Sequence, residues 1–357
     1  MKYRLLGRSG LRVSEICLGT MTFGQEWGWG SDKAESRNVF DTYVDRGGNF
    51  LDTANRYTEG TSETLVGEFI RGDRERFIVA TKYSLYTTKG DPNASGNQRK
   101  NMVQAVEASL KRLGTDYIDL YYLHAWDAFT PVDEVMRAFD DLVRAGKIIY
   151  AGISDTPAWI VSQANTLADL RGWTPFVGLQ IEYSLIERTV ERDLIPMAAA
   201  FDLAVLPWGP LGGGLLSGKY TSTNGAHTAP QDVRLKDGSL RLTDRNLAIA
   251  AEVVRVAQEV GHTPSQVALA WLMQRPGKII PIVGARRAPQ LAETLDATEI
   301  TLPAEQVKRL DAVSAIDLGF PHEWVTRDYM RENLYGGTLP LIKDRFRTRP
   351  SGIAVIP

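Results

Sequence analysis

Eight short apolar, β-branched runs recur along the chain: EICLGT (15–20), NFLDTA (49–54), FIVATK (77–82), YIDLYYLH (117–124), KIIYAGIS (147–154), FVGLQIEY (176–183), LAVLPW (203–208) and KIIPIVGA (278–285). Near-continuous hydrophobicity of this kind suits a parallel strand covered on both faces. Between the runs lie helical patterns. In NMVQAVEASLKRLG, Val103, Val106, Leu110 and Leu113 share one face and Gly114 supplies a stop. In PVDEVMRAFDDLVRAGK the same holds for Val132, Val135, Met136, Phe139, Leu142 and Val143, with Thr130 as N-cap before Pro131 and Gly146 past the end. Eight strand-helix units favour a closed (β/α)8 TIM-type barrel over an open doubly wound sheet. The first run is also followed by GTMTFG, not the GxGxxG that an open dinucleotide-binding sheet carries there. A turn at 7–10 between two apolar stretches predicts a hairpin plugging the N-terminal end, and the long interval from Trp208 to Gly284 predicts long loops at the C-terminal mouth. The chain, 1–357, reads as one domain: a barrel over about 13–300 and a Pro/Gly-rich extension from about 312 that drapes across a mouth or frays.

Bulk properties narrow the chemistry. A net charge of −2 without a basic run removes the electrostatic term that nucleic-acid binding needs. The single cysteine, Cys17, lies in an apolar run, which excludes an intrachain disulfide and a cysteine metal cluster and suits a buried hydrophobe. The histidines, at 124, 227, 262 and 322, lack HExxH or any close spacing, so no metal site is expected. No apolar stretch approaches the ~18 residues of a membrane span or forms a signal core. A small-molecule partner and a cytoplasmic location are the expectation; the oligomeric state stays open.

In such a barrel, chemistry sits at the C-terminal ends of the strands. Polar residues close several apolar runs there: Asp52, Lys82, His124, Ser154 and, inside VGLQIEY, Gln180. A buried Lys and Asp on neighbouring strands should pair, because either alone is costly. Taken alone, the pair suits a structural ion pair and His124 a satisfied core histidine; their appearance at successive strand ends points to function. Tyr57, five residues past Asp52, joins the set on the loop above. A neighbouring ammonium favours phenolate, so the Tyr57 pKa is expected to fall from its usual value of about 10 towards neutrality. A neutral imidazole beside it would orient a carbonyl oxygen. Proton donation to oxygen without a metal suggests carbonyl reduction. The glycine run PLGGGLLSGKY (210–220) resembles a Walker loop, but Tyr220 follows the lysine where Ser or Thr would ligate Mg²⁺, and turn formers rather than a helix come next.

The motifs GGNFLDTANRY, FIVATKY, SLKRLGTDYIDLYYLH, GKIIYAGIS, LQIEYSL, PLGGGLLSGKY and IPIVGARRAPQLAETL together resemble the aldo-keto reductases along essentially the whole chain. PWGPLGGG and GDPNASGNQRKN are similar to the aryl-alcohol dehydrogenase-like and potassium-channel β-subunit-like branches. The resemblance implies a barrel that binds NADP(H) without a Rossmann domain. Tyr57 would be the general acid, Lys82 its activator, Asp52 the partner of Lys82, and His124 the group that positions the substrate carbonyl. Cofactor contacts would come from Thr20, Met21 and Asp52, and from Ser154, Asp155 and Gln180 around the nicotinamide carboxamide. Trp208 would lie along the nicotinamide, with Gly209, Pro210, Leu211, Gly212, Gly214 and Lys219 at the pyrophosphate. Gly284 and Arg286 would lie at a 2′-phosphate, and Gln290, Glu293 and Thr294 near the adenine, so that NADP is expected over NAD. Arg234 would close the long loop or stay solvated. Two residues depart from the family pattern: Asp155 stands where Asn or a basic residue is usual, and Thr294 where Asn is common.

Phe23, Trp27, Trp29, Tyr86, Trp126 and Phe129, following the first, third and fourth strands, would line a pocket for an aryl or bulky aldehyde, ketone or alcohol. Two other readings stay open: an NADP-sensing regulatory subunit with slow turnover, and a Schiff-base enzyme with Lys82 as nucleophile.

Overall fold

The computed structural model describes residues 1–220, 235 and 238–342. It contains a two-stranded antiparallel hairpin, β1 (Tyr3–Leu5) and β2 (Arg12–Ser14), and a nine-stranded parallel sheet. In chain order the sheet comprises β3 (Cys17–Gly19), β4 (Phe50–Asp52), β5 (Ile78–Tyr83), β6 (Ile118–Leu123), β7 (Ile148–Ser154), β8 (Phe176–Glu182), β9 (Ala204–Trp208), β10 (Lys278–Ile279) and β11 (Ile282–Val283). The neighbours run in the order β10-β9-β8-β7-β6-β5-β4-β3-β11. The eighth apolar run is therefore two short strands rather than one. Pro281 interrupts it, since proline has no N–H for a ladder, and the run passes from β9 on one side to β3 on the other, closing the ring. Helices surround the sheet, and the fold is a (β/α)8 barrel.

The period of two along each strand divides the core. Phe50, Ile78, Ala80, Leu120, Tyr122, Ala204, Leu206 and Ile280 point inward with Leu6 and Val13 of the hairpin. Leu51, Val79, Tyr83, Tyr121, Leu123 and Ile153 point outward against the helices. The hairpin is the expected plug: Lys278 Nζ donates to Gly7 O at 2.5 Å, and Gly7, at φ +58°, sits so close to Val177 O that a Cβ would lie 2.2 Å from it. Cys17 is fully buried, and burial pushes its thiol well above the ordinary value, as an inert core residue should be.

Two local expectations are corrected. In the helix Arg99–Leu113, Val103 is 40% exposed, and Met102, Ala105, Val106, Ser109, Leu110 and Leu113 form the buried stripe. Thr130 does not cap the helix Val132–Arg144; Pro131 is the cap residue, and the Thr130 hydroxyl donates to Asp127 at 2.9 Å, because Asp127 gathers the N–H groups of Phe129 and Thr130 into a turn of its own. The stop glycines Gly114 and Gly146 hold the left-handed conformation expected of them. Past residue 315 the extension is more regular than its Pro/Gly content suggests. It forms two short helices, His322–Val325 and Asp328–Tyr335, neither with a buried residue, and Arg192 ties its start by donating to Asp317 O. Among the described residues no helix is long and apolar enough to cross a membrane.

Candidate active site

The same alternation that builds the core delivers the polar groups. After Phe50 comes Asp52, after Ile78 and Ala80 comes Lys82, after Leu120 and Tyr122 comes His124, and after Ala204 and Leu206 comes Trp208, each the next inward position at the C-terminal end of its strand. Asp52, Lys82 and His124 therefore meet at one mouth. Lys82 Nζ donates to Asp52 Oδ2 at 2.6 Å, to Thr53 O at 2.8 Å and to Tyr57 OH at 3.0 Å. The Lys82 side chain is 0% exposed and that of Asp52 3%. The other Asp52 oxygen accepts from Gln180 Nε2 at 2.8 Å. The His124 ring meets Tyr57 edge to face, with centroids 5.8 Å apart.

Tyr57 stands there because its loop is over-determined. Asn55 N–H donates to Lys82 O, Tyr57 N–H to Ala54 O, and Thr58 Oγ1 to Phe23 O at 2.7 Å. Thr58 and Glu59 both take positive φ, +46° and +58°, a strained pair immediately after the tyrosine. Ser62 braces the base of the loop through Thr20 and Thr53.

The charges set the protonation states. Desolvation acts against the Lys82 ammonium, but Asp52 and then Tyr57 act for it more strongly, and its pKa stands above the ordinary value. The ammonium donates to three acceptors, an arrangement that favours Lys82 as a charge partner of Asp52 and Tyr57 over Lys82 as a nucleophile. The expected acidification of Tyr57 is not what results: desolvation raises its pKa, Lys82 lowers it and Asp52 raises it, for a net rise. The carboxylate that pairs the lysine also blunts its field at the phenol. Tyr57 therefore carries its proton at neutral pH, as a donor must. His124 moves the other way; desolvation first, then Lys82, lowers its pKa from 6.5 to about 3. A neutral His124 contributes stability above pH 6.5, lost as pH falls towards 3. An NMR titration of the imidazole is expected to show no step for His124 across about pH 5–8; a midpoint near its ordinary value would contradict this environment.

At the mouth, the buried His124 Nδ1 has no hydrogen-bond partner among the described residues, and the buried Ser154 Oγ has none but the neighbouring Asp155 carboxylate. Gly209, Gly212, Gly213 and Gly214 follow β9 with φ of +64°, +58°, +72° and +97°, a backbone that side-chain-bearing residues rarely adopt. A Cβ on Gly214 would point into open space, where main chain can meet a phosphate, and the exposed Lys219 follows. Buried polar atoms with hydrogen-bonding capacity to spare and an open glycine cradle at the same mouth fit a nicotinamide dinucleotide. At the other end of the ring, Arg286 is half-buried just ahead of the helix Ala288–Leu295, and its N–H donates to Gln290 Oε1. Glu35 already accepts the Ala288 N–H there.

Other expected contacts are spent internally. Thr20 donates to Asp52 O, Thr294 is buried and bonds back to Gln290 O, and a Gln180 amide N–H is given to Asp52. Met21 and Leu211 are half-buried, Pro210 is buried, and Gly284 and Glu293 are exposed. Arg234 lies outside the described residues. Of the aromatics, Trp27 reaches Tyr57, with ring centroids 6.3 Å apart, and pairs with Trp29; Trp126 is half-buried. Phe23 is fully buried against Phe69, and Phe129 is 94% exposed, so neither lines a pocket. Sequence reasoning passed over Arg56, whose guanidinium lies 4.5 Å from the Tyr86 ring centre and pairs with Glu59; its place next to Tyr57 in NRY was the available signal. Among the described residues no group of acidic, His or Cys side chains could hold a metal.

A family model described as the aldo/keto reductase family matches residues 15–315. The aryl-alcohol dehydrogenase [NADP(+)] of Phanerodontia chrysosporium is 40% identical over 335 residues, 88% of this chain and 86% of that protein. The norsolorinic acid reductase of Aspergillus flavus is 38% identical over 331 residues, 89% and 82% respectively. A putative aryl-alcohol dehydrogenase of Saccharomyces cerevisiae is 34% identical over 340 residues, 92% and 90%.

Proposed function

The chain belongs to the aldo/keto reductase family, oxidoreductases of carbonyl compounds, and from that premise we propose that it reduces aldehydes or ketones to alcohols with NADPH. The observation that carries this is the contact of Lys82 Nζ with Tyr57 OH at 3.0 Å and with Asp52 at 2.6 Å, beside a neutral histidine at the barrel mouth. A reduced nicotinamide bound at the mouth would supply hydride to the carbonyl carbon. Tyr57 gives its proton to the carbonyl oxygen, Lys82 stabilises the phenolate left behind, and His124 orients the oxygen in a poorly solvated wall. Asp52 holds Lys82 in place. Ser154 and Gln180 would bind the carboxamide, the glycines and Lys219 the diphosphate, and Trp208 would cover the ring. Trp27, Trp29, Tyr86 and Trp126 favour an aryl or bulky substrate, in keeping with relatives named for aryl alcohols and norsolorinic acid.

For the cofactor we favour NADP over NAD, since Arg286 lies at a helix N-terminus and one relative carries NADP(+) in its name. Arg286→Ala is expected to raise the dissociation constant for NADPH by about tenfold and leave that for NADH unchanged, because an Arg-phosphate contact is charge-assisted and NADH lacks the phosphate. Cofactor fluorescence titrations check this; equal losses for both would remove Arg286 from the 2′-phosphate. NADPH bound without Tyr57-dependent turnover of an aryl aldehyde would instead mark a sensor.

A further inference from the structure

Asp155 is the residue after β7, and its side chain does not point into the cofactor cradle alone. Its Oδ1 accepts from Trp208 Nε1 at 3.0 Å, across from the end of β7 to the end of β9. The backbone holds this arrangement from three sides. Asp155 sits at φ +41°, its N–H donates to Gln180 O at 3.1 Å, and its carbonyl accepts from Trp126 N–H at 3.5 Å. A left-handed conformation at a non-glycine residue is maintained only where neighbours impose it, and Asp tolerates it better than most. Desolvation in the concave mouth raises the Asp155 carboxyl above its usual range and the Trp208 contact lowers it, although solvent still reaches the residue.

Trp208 is half-buried, and the Asp155 carboxylate is the acceptor of its indole N–H. An indole donates through one atom only, so this bond fixes the ring's rotation about its stem. A large aromatic held in one orientation meets a flat ligand with less ordering cost than a free one.

We propose that Asp155 is a positioning residue that acts through Trp208, locking the indole plane in the orientation that receives the nicotinamide ring. This rests on the reading of Trp208 as the cover of that ring. Asp155→Gly removes the acceptor while keeping a positive φ accessible, Asp155→Asn keeps an acceptor oxygen, and Trp208→Phe removes the donor. In the protein without cofactor, labelled with ¹⁵N-tryptophan, Asp155→Gly is expected to shift the Trp208 indole N–H resonance and speed its exchange with water, with Asp155→Asn in between. An unchanged resonance and exchange rate would overturn the proposal. In NADPH titrations read by cofactor fluorescence, Asp155→Gly is expected to weaken binding by about three- to tenfold. The double variant Asp155→Gly/Trp208→Phe is expected to bind no more weakly than Trp208→Phe alone. Losses that multiply in the double variant would overturn the proposal while leaving the functional reading intact. A wild-type protein that does not bind NADPH would overturn both.

Discussion

Tyr57→Phe is expected to lower the rate of carbonyl reduction by about 10²–10⁴-fold while leaving NADPH affinity unchanged. The substitution deletes one oxygen. That oxygen accepts from Lys82 Nζ at 3.0 Å and belongs to a phenol that keeps its proton at neutral pH. Lys82 retains Asp52 Oδ2 and Thr53 O as acceptors, so the buried charge stays compensated and the fold is expected to hold. Stopped-flow NADPH oxidation with an aryl aldehyde, together with cofactor titration, measures both halves. A variant that turns over like the wild type would remove Tyr57 as the acid.

Lys82→Met is expected to cost more than activity. Asp52, with a side chain 3% exposed, would keep, among the described residues, only the Gln180 amide as a donor, and an uncompensated buried carboxylate costs about 3–5 kcal/mol of stability. Thermal unfolding should register the loss. The double variant Lys82→Met/Asp52→Asn removes the stranded charge and should recover much of the stability, yet its reductase activity should stay as low as that of Lys82→Met. Recovery of both would make the pair structural, and recovery of neither would mean that the methionine disrupts packing.

Much of this site was legible because each polar residue interrupts an apolar run. Asp52, Lys82 and His124 fall on the inward parity of their strands, and parity is a property of sequence. What was not legible depends on distances between distant segments. The net effect on Tyr57 turns on a contest between Lys82, Asp52 and burial, whose balance no spacing encodes. The hydrogen bond that Asp155 accepts from the Trp208 indole, a contact across 53 residues, has no signal in the sequence. Phe23 and Phe129 follow strand ends as Trp27 does, but loop turns send one inward and the other to solvent. Thr294 carries a hydroxyl its own helix consumes. The eighth run reads as one strand in composition, and only the ladder shows that Pro281 divides it.

The central claim is that hydride passes from a reduced nicotinamide to a carbonyl carbon at the mouth where Tyr57 and Lys82 meet. NADPH deuterated at the transferable position of its nicotinamide, turned over with an aryl aldehyde and the product analysed by mass spectrometry, tests it most directly. The expected product is an alcohol carrying one deuterium at the carbinol carbon from the wild-type protein, and no such product in the same time from Tyr57→Phe. Product without deuterium, or equal labelling by the variant, would contradict the account.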